Sequence, residues 1–156
     1  MRTALLSLMA VSLFAGEPPT IHLGPLTEAE RSKPAKPGVA AIGVHRTLPP
    51  GSLKKGKWMK DAGGHKVWRL RIQSAEAKGL RLHFTAADLG SHKITLRGSG
   101  SAAYKPYTGK GPLGDGDFWS EVVEGDAVTI EYDGDPSKPP PFQLAAISHL
   151  FRSVFE

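Results

Sequence analysis

The feature that most constrains the fold is a series of short segments in which apolar and polar residues alternate. Residues 65–73 (HKVWRLRIQ) would place Trp68, Leu70 and Ile72 on one face of a strand, because successive strand side chains point to opposite faces. Further strand signals are found at residues 39–46, 78–84, 92–97, 117–123, 127–133 and 142–152. Gly, Pro or Asp occurs in most of the stretches between these segments. The pattern predicts an all-β fold, an antiparallel β-sandwich or jelly roll of about seven to nine strands.

The connections between these segments also carry expectations. Residues 124–126 (EGD) predict a hairpin turn that joins 117–123 to 127–133, since Gly and Asp favour tight turns. The proline- and glycine-containing stretch 48–57 and the glycine-rich stretch 98–117 are predicted to be loops.

The N-terminus has the composition of an export signal. Arg2 precedes an apolar run at residues 4–14, and small residues follow it. The run is too short for a membrane-spanning helix, which needs about 20 apolar residues, and it fits the layout of a secretory signal. We therefore expect residues 1–16 to be a signal peptide, the protein to be secreted or periplasmic, and the chain to lack a transmembrane segment.

The rest of the chain divides into a linker and a body. Residues 17–38 hold five prolines and mixed charges without apolar periodicity, which predicts a linker or a disordered arm. The β-sandwich domain is predicted at 39–152, followed by a short tail at 153–156.

Composition excludes several kinds of chemistry. The chain has no cysteine, so disulfides, thiolate metal sites and cysteine nucleophiles are excluded. Its formal net charge of +5 favours anionic partners. However, the basic residues are dispersed, so an ordinary solvated surface is the simpler interpretation.

No sequence motif indicates catalysis. Residues 109–114 (GKGPLG) fit the spacing of a dinucleotide-binding loop, but a strand-like segment follows where that site needs a helix. The six histidines show no helical i, i+4 pair, which gives little support for a metal site. Asp115 and Asp117 are weak calcium candidates, although turn formation explains them better. We expect no cofactor and no enzymatic activity.

Basic residues form one candidate binding surface. Arg69, Arg71, Arg81 and His83, with Arg97, would form a basic stripe if the strands pair in chain order. Such a stripe would dock an acidic partner, and a solvated face is the alternative.

Aromatic residues form a second candidate. Tyr107 and Trp119, with Tyr104, lie in or beside the long loop and could form a sugar-binding platform, or pack over the sandwich edge. Nucleic acid is not expected as a partner, because the aromatic-plus-basic strand motif of RNA-binding sheets is lacking.

Three segments then resemble a known family. They are VWRLRIQSAEAKGLRLHF, PYTGKGPLGDGDFWSEVVEGDAVTIEY and FQLAAISHLFR. Within residues 39–152 the chain is similar to the N-terminal non-catalytic β domain that precedes the trypsin-like domain in some secreted bacterial serine proteases of the lysyl-endopeptidase type. No protease motif accompanies the resemblance, so it implies an accessory or pro-region-like domain without peptidase activity.

Three functions follow from these expectations. The resemblance implies an exported domain that binds or shields a partner, such as a secreted serine protease or another exported protein. A carbohydrate-binding module that binds polysaccharide is the alternative. A small hydrolase is the third, and it would require a concave site in which Ser or Asp bonds to His149 or His83.

Overall fold

The computed structural model describes residues 16–34, 36–38, 40–100 and 103–155. These residues form two packed β-sheets, which confirms the predicted all-β sandwich. They contain eleven strands rather than seven to nine, because several strands are only two to four residues long. The predicted signal peptide lies, apart from Gly16, outside the described residues. Within the described part of the chain, no helix has the length and hydropathy that crossing a membrane requires.

The two sheets contain six and five strands. The first sheet comprises β1 (Thr20–Leu23), β3 (Lys57–Lys60), β4 (Lys66–Ser74), β6 (Lys93–Gly98), β7 (Tyr107–Thr108) and β10 (Ala127–Tyr132). The second sheet comprises β2 (Gly43–Thr47), β5 (Gly79–Thr85), β8 (Phe118–Trp119), β9 (Val123–Glu124) and β11 (Gln143–Leu150). A short helix, α1 (Glu28–Arg31), and a 3-10 helix (Ser52–Lys55) lie between strands.

Strand order places β4 and β10 at the centre of the first sheet, in the order β1–β4–β10–β6–β7. β3 pairs with the same edge of β4 as β1, opposite its first half. The second sheet has the order β2–β11–β5–β8, and β9 also pairs with β5. All these pairs are antiparallel except β1–β4, which is parallel.

The core lies between the sheets and contains the apolar residues of the alternating segments. Leu70 and Ile72 of β4 and Leu80 and Leu82 of β5 are completely buried. Phe142 packs edge-on against three aromatic rings at 5.6–5.7 Å. Such pairs add to the stability that burial alone provides.

The N-terminal segment departs from the prediction of a linker or disordered arm over 17–38. β1 pairs with β4, and Ile21 is buried in the core. At its ends, Arg71 N donates to Pro19 O and Ala75 N donates to Leu23 O, both at 2.9 Å. The prolines before β1 are compatible with a strand because they lie at its start, on a sheet edge.

The pairing of the strands also departs from chain order. The segment 124–126 does not form the predicted hairpin, because β9 pairs with β5 in the second sheet and β10 pairs with β4 and β6 in the first. The turn therefore crosses from one sheet to the other. The stretches predicted as loops contain short elements as well, namely the 3-10 helix, the start of β3, and β7.

Candidate functional site

The predicted basic stripe is wrong as a single surface, because β4 and β5 belong to different sheets. Arg69 and Arg71 lie on the outer face of the first sheet, where Arg97 joins them. Arg81 and His83 lie on the outer face of the second sheet. Each sheet face therefore has its own set of basic residues.

The outer face of the second sheet brings together three of the predicted site residues, Arg81, His83 and Trp119. His83 of β5 is directly opposite Trp119 of β8, and their rings stack at 4.6 Å with an angle of 10°. His45 of β2 lies 4.6 Å from the same indole. The Arg81 guanidinium carbon is 5.7 Å from the Trp119 ring, within the range of a cation–π contact. Trp119 is therefore held by three neighbours.

Small residues leave room for this arrangement. β11 runs between β2 and β5, and it places Ala146 opposite His83 and Ser148 opposite both Arg81 and His45. Because neighbouring strands are about 4.8 Å apart, the two imidazoles are on strands separated by about 9.6 Å. That separation accommodates one indole ring between them.

A groove of about 420 Å³ borders Trp119. Its wall includes seven charged, aromatic or proline side chains, those of Arg81, Lys105, Pro106, Tyr107, Pro112, Trp119 and Glu121. The Tyr107 hydroxyl accepts a hydrogen bond from Glu121 N at 2.8 Å, and Arg81 Nε donates to Ser120 O at 2.8 Å. Burial raises the pKa of Tyr107 above its ordinary value. The groove combines aromatic surface with excess positive charge.

The glycine-rich loop packs against Phe118, the residue next to Trp119. Gly111 has φ +83°, and a side chain there would overlap the ring of Phe118. Phe118 in turn stacks on the core residue Phe84 at 5.2 Å and contacts Tyr107 at 4.9 Å. Because Phe118 points inward, its neighbour Trp119 points outward into the groove.

The two aspartates proposed as weak calcium candidates have other partners. Asp115 accepts a hydrogen bond from Asp117 N at 3.0 Å, as in an Asx turn. Asp117 Oδ1 lies 2.6 Å from His83 Nε2. Among the residues described, no group of three or more His, Asp or Glu side chains could hold a metal ion.

A serine–histidine pair does occur, in the interior. Ser74 Oγ lies 2.7 Å from His149 Nδ1, and Arg46 Nη1 donates to the same hydroxyl at 3.0 Å. Arg46 also pairs with Glu30 at 2.9 Å and donates to Gly24 O at 2.7 Å. Ser74 is 0% exposed and His149 is 2% exposed. A substrate cannot reach a hydroxyl buried in this way, so the pair acts as a structural connection.

The alternating pattern did not indicate this network. Arg46 is the last residue of the predicted strand segment 39–46 and lies in β2. Its side chain turns inward at the edge of the second sheet, where α1 supplies Glu30. The capping sequence Thr27–Glu30 was the sequence signal from which the short helix α1 could have been predicted. The Thr27 hydroxyl accepts from Glu30 N, and Thr27 N donates to the Glu30 carboxylate at 2.9 Å, which forms a capping box.

Fold and surface together describe an all-β sandwich with a basic, aromatic groove on one face. The chain belongs to the family of lysyl endopeptidase N-terminal domains, whose family model matches residues 15–151. The match confirms the resemblance seen in the sequence, and it covers nearly the whole chain. This family corresponds to a non-catalytic region of those proteases. No curated protein and no solved structure shows significant similarity to the chain.

Proposed function

We propose that this chain is an exported, non-catalytic domain that binds the catalytic domain of a lysyl-endopeptidase-type serine protease and shields it. The family assignment supports an association with such a protease. The observation that carries the proposal is the groove beside Trp119, where Arg, Trp and Tyr side chains are held in place by neighbours. These three residue types dominate the binding energy of protein interfaces, and side chains that are already fixed lose little entropy on binding.

The charge of the groove suggests which part of the partner it contacts. Two basic side chains, Arg81 and Lys105, and one acidic side chain, Glu121, line the groove. A segment of the protease that presents a carboxylate next to an apolar side chain would match both the guanidinium and the aromatic walls.

The test measures binding and inhibition. The purified chain is mixed with a purified lysyl endopeptidase catalytic domain, and the affinity is measured by calorimetry alongside cleavage of a lysyl peptide substrate. We expect inhibition, with affinity about 30-fold weaker for Arg81→Gln, as for a residue that contributes about 2 kcal/mol. Lys138→Gln is the control, because Lys138 is exposed in a different loop. Absence of binding, or equal affinity of both variants, would overturn the proposal.

A carbohydrate-binding module remains the second candidate, because Tyr107 and Trp119 line the same groove. A sugar platform needs an open ring face, whereas the Trp119 indole is already in contact with His45, His83 and Arg81. Retention on an insoluble neutral polysaccharide that is lost in Tyr107→Ala, without inhibition of the protease, would favour this candidate instead.

Export has its own test. The protein is recovered from the culture medium or periplasm of its producing cell, and its N-terminus is sequenced. We expect the mature chain to begin near residue 17. Recovery only from the cytoplasm with residues 1–16 still attached would contradict export, whatever the binding experiment shows.

A further inference from the structure

We propose that the outer face of the first sheet binds an anionic polysaccharide that carries carboxylate or sulfate groups. This inference is independent of the proposed protease-binding groove, which lies around Trp119 of the second sheet and β7 at the edge of the first and whose wall includes none of the residues used below. It rests on two rows of residues that the strand register places side by side.

The first row crosses β3, β4, β10 and β6. Lys57 is opposite Arg69, Arg69 is opposite Glu131, and Glu131 is opposite Thr95. The second row crosses β1, β4, β10 and β6, and it comprises Thr20, Arg71, Thr129 and Arg97. Directly opposite residues share one face of a sheet. The two rows therefore hold four cations and one carboxylate, a formal charge of +3.

Glu131 fixes two of these cations. Its carboxylate lies 2.7 Å from Arg69 Nε and 2.6 Å from Arg69 Nη2, and it also pairs with Arg97 Nε. Glu131 is buried, with 8% exposure, whereas the Arg97 side chain is 44% exposed. One buried carboxylate thus orients two guanidinium groups on a rigid sheet, and the group of three keeps a net positive charge.

The spacing of the cations suits a polymer that carries anionic groups at regular intervals. Arg69 and Arg71 are two residues apart on β4, which corresponds to about 6.8 Å, and Arg71 and Arg97 are on strands about 9.6 Å apart. Guanidinium groups bind planar or tetrahedral oxyanions through paired hydrogen bonds. Thr129 lies between Arg71 and Arg97 in the second row, and Thr20 lies at the end of that row beside Arg71. Their hydroxyls can contact sugar hydroxyls.

The composition of the two rows favours a glycan over a protein or a nucleic acid as the anionic partner. The two rows contain no aromatic or aliphatic residue, whereas protein interfaces depend on such anchors at their centre. Single-stranded nucleic acid is bound by aromatic stacking platforms, which the two rows also lack. A hydrated, charged glycan needs neither feature.

The test compares matched variants on defined probes. Binding to heparin and to polygalacturonate is measured against salt concentration, with neutral dextran, a DNA duplex and an acidic protein as the other arms. We expect the double variant Lys57→Gln/Arg71→Gln to lower the slope of log affinity against log salt by about 2, one for each lost contact. The control, Lys110→Gln/Lys138→Gln, removes the same charge from exposed loops, and we expect it to leave the slope unchanged.

A second variant tests the same face without removing a cation. Thr129→Glu would put a carboxylate between Arg71 and Arg97, and we expect it to abolish retention on both glycans. Thr85→Glu, on an outward position of the second sheet, is its control. Equal effects of variant and control would show that only net charge matters and would overturn the proposal. Tighter binding to the DNA duplex or the acidic protein than to either glycan would also overturn it.

Discussion

Ser74 and His149 are joined by a 2.7 Å hydrogen bond that links β4 of the first sheet to β11 of the second. Arg46 connects this pair to α1 through Glu30. The network therefore attaches the N-terminal segment to both layers of the sandwich. Every buried side-chain nitrogen and oxygen in the described part of the chain has a hydrogen-bond partner, so removing one member leaves others unsatisfied.

Ser74→Ala should lower the free energy of unfolding by about 1–3 kcal/mol, because it leaves the His149 Nδ1 and one Arg46 N–H without their buried partner. Urea denaturation of both proteins measures the difference. Ser91→Ala is the control, since Ser91 is exposed, and it should change stability by less than about 0.5 kcal/mol. A Ser74→Ala variant as stable as the parent would mean that the network contributes little.

The same network predicts acid sensitivity. Burial lowers the pKa of His149 below its ordinary value of 6.5, and the nearby charge of Arg46 lowers it further. The unfolded chain therefore binds this proton more readily than the folded one. The resulting contribution to stability is complete above about pH 6.5 and is lost as the pH falls from there towards the lowered pKa of the folded state.

His149→Gln should reduce this loss of stability between about pH 7.5 and pH 5, measured as the midpoint of urea unfolding at each pH. His65→Gln is the control, because His65 is exposed at a turn, and it should keep the steep dependence. If both variants follow the parent curve, then the acid sensitivity has another origin. Glu30 acts in a separate pH range. Its pKa is lowered from the ordinary value of 4.5, so its contribution to stability is lost only as the pH falls below about 4.5.

The burial of Ile21 in β1 leads to a prediction that tests whether the N-terminal segment is part of the fold or only a linker. Ile21 is 2% exposed and packs in the core, so Ile21→Ala should lower the free energy of unfolding by about 2–4 kcal/mol. Ile42→Ala removes the same atoms at a position that is 45% exposed and should cost much less. Urea denaturation distinguishes the two, and equal effects would contradict an integral β1.

Sequence alternation predicted the long strands well. The expected segments 65–73, 78–84 and 127–133 agree to within one residue with β4, β5 and β10, because each has one buried and one solvated face. Pairing could not be predicted in the same way. Alternation states which face of a strand is buried but not which sheet the strand joins. The turn at 124–126 therefore looked like a hairpin although it connects two layers.

Short edge strands were missed for a different reason. β1 and β3 have four residues each, so they show too little alternation to be recognised, and their stability comes from the exposed edge of β4. For the candidate site, the sequence indicated Arg81, His83 and Trp119, which share the outer face of the second sheet. It also indicated Tyr107, which borders the same groove from β7 of the first sheet. It did not indicate His45, whose contact with Trp119 depends on the order of strands in the second sheet.

The glycine-rich loop provides a prediction about the groove itself. Gly111 and Gly114 both have positive φ, +83° and +74°, but only Gly111 has a neighbour, the Phe118 ring, where a side chain would lie. Gly114→Ala should cost about 1–2 kcal/mol, which is the strain of the left-handed backbone alone. Gly111→Ala should cost more and should also displace Phe118, and with it Trp119. Urea denaturation measures the two costs, and near-ultraviolet circular dichroism reports the change in aromatic packing. If the two variants were equally stable and had identical aromatic spectra, the loop would not position the groove, and the support for Trp119 would come from His45, His83 and Arg81.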